Sequence, residues 1–114
     1  MADLDVVRTA VAEAVVRVEE LEDDTRRKIP DRSISVLVTD LDLAWAGRFE
    51  RGHLVDVTEI DPAQARSAAF RLRMPSDVLV DLIEDRISFG TAWSKGRLRV
   101  DAGFRDVLSL RAFL

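Results

Sequence analysis

The 114 residues carry 17 basic and 21 acidic side chains, a net charge of −4, and no cysteine. A chain of this length makes one domain, residues 1–114, with a core that needs no staples. The composition excludes disulfides and thiolate metal sites, an apolar run of about 18 residues that would span a membrane, and the basic surface of a general nucleic-acid binder.

Asp3 and Asp5 stand where a signal peptide would be basic, so none is expected and a reducing cytoplasm suits the chain. Arg outnumbers Lys 15 to 2, with abundant Ala, Val and Asp, the habit of a GC-rich bacterial genome. Leu4, Val7, Val11, Ala14, Val18 and Leu21 step by three and four, which predicts one long helix from Asp3 to about Lys28. Three acid-to-base pairs, Glu22/Arg26, Asp23/Arg27 and Asp24/Lys28, are expected to extend it, each adding about 0.2–0.5 kcal/mol. Ile29-Pro30 ends it. Six valines lower its intrinsic propensity, so it forms by packing on something else.

Arg32 to Thr58 reads as three strands. Ile34, Val36 and Val38 alternate with Ser33, Ser35, Leu37 and Thr39. Leu41, Leu43, Trp45, Gly47 and Phe49 alternate with smaller and polar residues, Arg51-Gly52 turns the chain, and His53 to Thr58 follows. Short connections imply an antiparallel meander. Pro62 to Arg66 is a short helical crossover, and Ala68, Phe70, Leu72 and Met74 mark a fourth strand.

Met74-Pro75-Ser76-Asp77 opens the next helix. Proline suits a first-turn position, and Ser76 or Asp77 is expected to cap the free amides. Val78, Leu79, Leu82 and Ile83 form its apolar stripe. Ile87 to Trp93 is a second short helical turn, stopped by Lys95-Gly96 with Gly96 just past the end. Arg97 to Val100 alternates as a fifth strand, Asp101-Ala102-Gly103 breaks it, and Phe104 to Leu114 closes the chain as an amphipathic helix. The order satisfies an α+β fold: one sheet, helices on one face and water on the other.

Catalytic signals are weak. His53 is the one histidine and follows a turn, with no nucleophile beside it. Asp40 and Asp42 read as a solvated hairpin pair. Ser88, Thr91 and Ser94 sit in no nucleophile elbow, and no phosphate loop or metal-ligand cluster occurs. The chain is expected to be no enzyme and to need no cofactor or metal. The aromatics say more. Trp45, Phe49, Phe70, Phe89, Trp93 and Phe104 fall on inward faces. They form either a plain core, each ring stabilising by about 1.5–3 kcal/mol on burial, or the lining of an apolar cavity.

The run Met74 to Ile83, then Ala92-Trp93-Ser94-Lys95-Gly96-Arg97-Leu98-Arg99-Val100, with Leu41 to Trp45 and Arg51-Gly52 upstream, resembles the sterol carrier protein-2 (SCP-2) family over nearly the whole chain. The resemblance implies a five-stranded mixed, mostly antiparallel sheet in order 3-2-1-4-5. Helices on one face would enclose an apolar tunnel for a sterol, fatty acid or fatty acyl-CoA. Leu43, Trp45, Phe49, Phe70, Leu82, Phe89, Trp93 and Phe104 are the residues expected to line it. Two departures stand out: members usually carry Gly where this chain has Glu84-Asp85-Arg86, and Gly-Asp where it has Asp101-Ala102-Gly103. Arg-Ala-Phe-Leu at the end is not a peroxisomal signal.

The alternative of another class is an interaction subunit with a filled core. Its Leu4–Leu21 stripe would form a dimer seam, so the chain is expected to be a monomer or a homodimer. Packing of that stripe inside the chain is preferred, because the sheet needs a cover. On the solvent face, if the last two strands are neighbours as the resemblance implies, Arg71, Arg73, Arg97 and Arg99 share one side. Residues 1–60 carry 8 basic and 14 acidic groups, and residues 61–114 carry 9 and 7. Such a face is either neutralised by nearby carboxylates or makes a weak contact with anionic lipid headgroups, about 1 kcal/mol per arginine.

Overall fold

The structure, a computed structural model, describes residues 3–103. Its strands are β1 (Arg32–Val38), β2 (Leu43–Glu50), β3 (His53–Ile60), β4 (Phe70–Met74) and β5 (Arg99–Asp101). They form one five-stranded sheet in order β3-β2-β1-β4-β5. β1 runs parallel to β4 and every other neighbouring pair is antiparallel, the mixed α+β arrangement expected. A bulge interrupts the β2–β3 register between Ala46 and Arg48. There Asp56 takes a φ of 56°, and the facing Gly47 is closely approached: a Cβ would lie 3.2 Å from the Val55 carbonyl oxygen, a tight contact.

The helices are α1 (Leu4–Glu19), α2 (Asp23–Arg26), α3 (Ser76–Ile83) and α4 (Phe89–Ser94). Val7 and Ala10 of α1, Val38, Trp45 and Met74 of the sheet, Val78 and Leu79 of α3, Ala92 of α4 and Leu98 form one buried cluster. The apolar stripe of α1 is thus used within the chain. Among the described residues no helix is long and apolar enough to cross a membrane.

The first helix is not continuous to Lys28. It stops at Glu19 and resumes for one turn at Asp23. The reason is Arg26, which is buried rather than paired with Glu22 on a helix surface. Its Nη2 donates to the carbonyls of Val18, Glu19 and Leu21 at 3.1, 2.9 and 3.2 Å, and its Nη1 to the Gly52 carbonyl at 2.8 Å. One guanidinium therefore satisfies the carbonyls freed at the end of α1 and ties them to the β2–β3 turn. Gly52, at φ 79°, lies against it: a Cβ there would come 2.1 Å from Arg26 Cγ. Of the other two expected pairs, Arg27 instead meets Asp24 at 3.5 Å.

Water does not have the second face of the sheet to itself. After β3, an edge strand, the chain must pass β2 to reach the free side of β1. It does so beneath the sheet as a 3₁₀ helix, residues 62–67. Ser35, buried on that face, donates its hydroxyl to the Ala65 carbonyl at 2.8 Å.

Neither Ser76 nor Asp77 is the N-cap of α3. Pro75 holds that position, and Asp40, arriving from the β1–β2 loop, accepts from Ser76 N at 2.8 Å and from Ser76 Oγ at 2.6 Å. α3 and α4 end alike. Gly96 (φ 73°) donates to Trp93 O and Arg97 N to Ala92 O; Asp85 (φ 60°) donates to Leu82 O and Arg86 N to Asp81 O. Both are Schellman closures. Asp85, within the stretch Glu84-Asp85-Arg86 noted above, adopts the left-handed conformation without being glycine, at a cost of about 1–2 kcal/mol, with its carboxylate 3.1 Å from Arg17. The closure after α4 also delays the fifth strand, which begins at Arg99 instead of Arg97.

Candidate functional site

Between α1 and the sheet lies a cavity of about 90 Å³. Val11, Ala14 and Val15 of α1 form its roof, Ile34, Val36 and Trp45 part of its floor, and Leu54 and Val57 of β3 its side. The alternation in β1 and β2 turns these residues to the helical face, and the bulge turns Val57 with them. Every lining side chain is apolar. The volume holds about three groups the size of a methylene or a water, well short of the ~300 Å³ at which ligand pockets begin.

Of the eight residues expected to line a tunnel, Trp45 lines this cavity. Leu43, Leu82, Phe89 and Trp93 are half-buried against the core cluster, and Phe89 and Trp93 meet edge to face, ring centroids 6.0 Å apart. Phe70 is buried. Phe49 is half-buried beside Leu54 across the β2–β3 ladder. Phe104 lies outside the described residues, as does the helix expected from Phe104 to Leu114. Ala14 of the apolar α1 stripe and its neighbour Val15 also line the cavity, although neither is among the large side chains that mark an apolar lining in a sequence.

The other face carries a groove of about 480 Å³ between the 3₁₀ helix and β4–β5. Arg71 and Arg73 of β4 reach it, joined by Arg66 of the 3₁₀ helix, with Asp42 and Asp101 among its walls. Arg73 meets Asp101 at 2.9 Å. Arg99 stands opposite Arg73 in the ladder. Arg97 is not part of this face. Lying before β5 in the turn after α4, it reaches Asp81 of α3 at 3.4 Å, so the expected quartet of arginines is broken. Arg66, on the crossover, takes a place in the groove that strand alternation could not have indicated.

Most of the residues weighed for catalysis have structural partners, and Asp42 stands among the walls of the groove. Burial pushes the Asp40 carboxyl up, but the hydrogen bonds from Ser76 Oγ and N outweigh it and hold the group below its ordinary value. Asp81 is likewise held low, first by the Arg86 hydrogen bond and then by Arg97, and Arg86 is raised in turn. Ser88 Oγ accepts from Thr91 N at the start of α4, and Ser94 Oγ donates to the Thr91 carbonyl at 3.1 Å. His53 Nδ1 lies 3.3 Å from Arg26 Nη1 and 3.4 Å from Glu19 Oε2. Among the described residues, no three acidic or histidine side chains gather in a way that could hold a metal ion.

No protein-family model matches the chain, and no curated protein matches it. Solved structures do. A double mutant of the sec-alkyl sulfatase PisA1 superposes with a TM-score of 0.56 at 16% identity over 82% of this chain, but the chain spans only 14% of that protein. Sterol carrier protein 2 superposes with a TM-score of 0.67 at 14% identity, over 89% of this chain and 83% of that one. Palmitated SCP2L2 from Aedes aegypti does so with a TM-score of 0.62 at 10% identity, over 96% and 91%. The fold of this chain, strand order included, is therefore the SCP-2 fold.

Proposed function

We propose that this protein binds an apolar lipid, of the fatty-acyl or sterol class, between α1 and the sheet, and carries or presents it without chemistry. The observation that supports the reading is the wholly apolar lining of the cavity under α1, in a fold shared with sterol carrier protein 2 and with an SCP-2-like protein solved in palmitated form. A lipid chain needs several times the present volume. α1 is anchored at its end by Arg26, whereas Val11, Ala14 and Val15 over the cavity are only half-buried. Uptake therefore proceeds by lifting the middle of α1 from β2 and β3.

Native mass spectrometry of the full chain with palmitate tests this. Wild type is expected to retain one palmitate, and Ala14→Trp, which fills the cavity, to retain none while keeping its circular dichroism. Equal retention by both, or by neither, overturns the site.

The small volume also favours a second reading, an interaction subunit whose core is full. Val6 and Val16 on the outer side of α1 are 46% and 55% exposed. That reading requires indifference to palmitate together with a stable dimer in light scattering, lost in Val16→Glu.

A further inference from the structure

The groove on the sheet face opposite α1 combines guanidinium groups with carbon walls. Arg66, Arg71 and Arg73 face Asp42 and Asp101 across it, which leaves a positive balance. Arg73 is fixed by Asp101 at 2.9 Å, yet its Nε is buried and has no hydrogen-bond partner among the described residues. That nitrogen is closed off from solvent, so an anion in the groove would meet Arg73 through its terminal Nη atoms. Arg71 commits Nη1 to the Ala68 carbonyl at 3.0 Å, which fixes the side chain without neutralising its charge. Arg66 makes no ion pair among the described residues. Arg99 opposite Arg73 adds a like-charge pair that a bound anion would relieve. Pro62, Ala63 and Ala65 of the 3₁₀ helix line the groove, and its volume of about 480 Å³ is that of a small-molecule site.

We propose that this groove binds a small, soluble organic phosphate ester, with the phosphate on Arg66, Arg71 and Arg73 and the carbon part against Pro62, Ala63 and Ala65. A phosphate monoester carries nearly two negative charges and three acceptor oxygens. It can therefore serve several guanidiniums at once; a carboxylate adds only what Asp101 already gives Arg73. The recessed shape favours a soluble molecule over a bilayer. So does the turn of Arg97 to Asp81, which removes the fourth charge from what would have been a broad basic face. The sheet separates this groove from the apolar cavity, so the two sites stand or fall independently.

The test is an NMR titration of the full chain at low salt with phenyl phosphate, following backbone amides and arginine Nε–Hε signals. Saturable shifts are expected at Arg71 and Arg73 and along residues 62–67, with phenyl phosphate binding more tightly than inorganic phosphate. Arg66→Ala, at an exposed position, and Arg71→Ala are each expected to weaken binding about tenfold while leaving palmitate retention unchanged. The absence of saturable shifts up to about 10 mM, a millimolar limit of affinity, overturns the proposal, as does unchanged affinity in a folded Arg66→Ala variant. Binding only to phosphatidylcholine vesicles containing phosphatidylglycerol, with soluble phosphates inert, also overturns it and assigns the arginines to a membrane.

Discussion

Ser35 and Val36 are neighbours in β1 and face opposite sides of the sheet. Beneath Val36, three helices bury carbon against carbon and leave about 90 Å³. Beneath Ser35, a 3₁₀ helix of six residues covers part of the sheet, held by a few hydrogen bonds, from Ser35 Oγ to the Ala65 carbonyl and from Ala69 N to Ser33 Oγ, with only alanines buried beside them, and leaves about 480 Å³ walled by charge. The difference lies in how each cover is held. Apolar packing has no preferred direction and closes up until little space remains. A hydrogen bond fixes one point and lets the surface around it stay open. The space between α1 and the sheet would therefore have to widen before it could hold a lipid chain, whereas the groove on the other face is concave already.

Four substitutions break or sharpen this contrast. The largest effect is expected on the helical face from Leu98→Ala, where a side chain only 1% exposed leaves a hole. A loss of about 3 kcal/mol in urea unfolding follows from core truncations of this kind, and a loss below 1 kcal/mol would mean that the face is looser than its burial implies. Gly52→Ala comes next, since its Cβ collides with Arg26 and its φ is left-handed. About 2 kcal/mol is expected, with hydrogen exchange accelerated at the end of α1 and in the β2–β3 turn together. Exchange confined to the turn would separate Arg26 from the closure of α1.

Ser35→Ala probes the opposite cover. The Ala65 carbonyl loses its hydroxyl donor and keeps only the longer bond from Ala68 N at 3.5 Å, and about 1 kcal/mol of stability goes with it. Faster exchange along residues 62–67 with the helices unaffected is the expected signature; a global effect would deny the independence of the two covers. The smallest effect is electrostatic. Asp40 in the folded protein lies below its ordinary value of 3.8, so its contribution is present above that pH and is lost as pH falls through the lower folded value. Stability of the wild type should decline below about pH 4 more steeply than that of Asp40→Asn. Parallel acid curves would show that Ser76 does not favour the charged form.

Alternation and helical spacing made the strands and most helices legible, because side chains turned toward a common core repeat at the period of their element. Strand order came from the resemblance in the residues around Pro75 and Gly96. Arg26 was not legible, since Leu21 extends the three-four spacing of α1 and Glu22 stands at i−4, so nothing local shows the turn between them. The crossover helix was legible at Pro62 to Arg66, but its place beneath the sheet left only a faint trace: Ser33, Ser35, Ala44 and Ala46 are small, as residues are where another segment lies close, yet on their own they read as a solvated face. The apolar cavity depends on how far α1 stands from β3, a distance to which spacing along the chain is blind.

The bulge at Asp56 has its own consequence. β3 is an outer strand of the sheet, and an outer strand offers unpaired amides and carbonyls to any copy of the chain that drifts alongside. A φ of 56° at Asp56 kinks that ribbon halfway along, and an exposed carboxylate stands at the kink. Asp56 should therefore guard a concentrated solution against edge-to-edge fibre growth. The other edge, β5, is only three residues long.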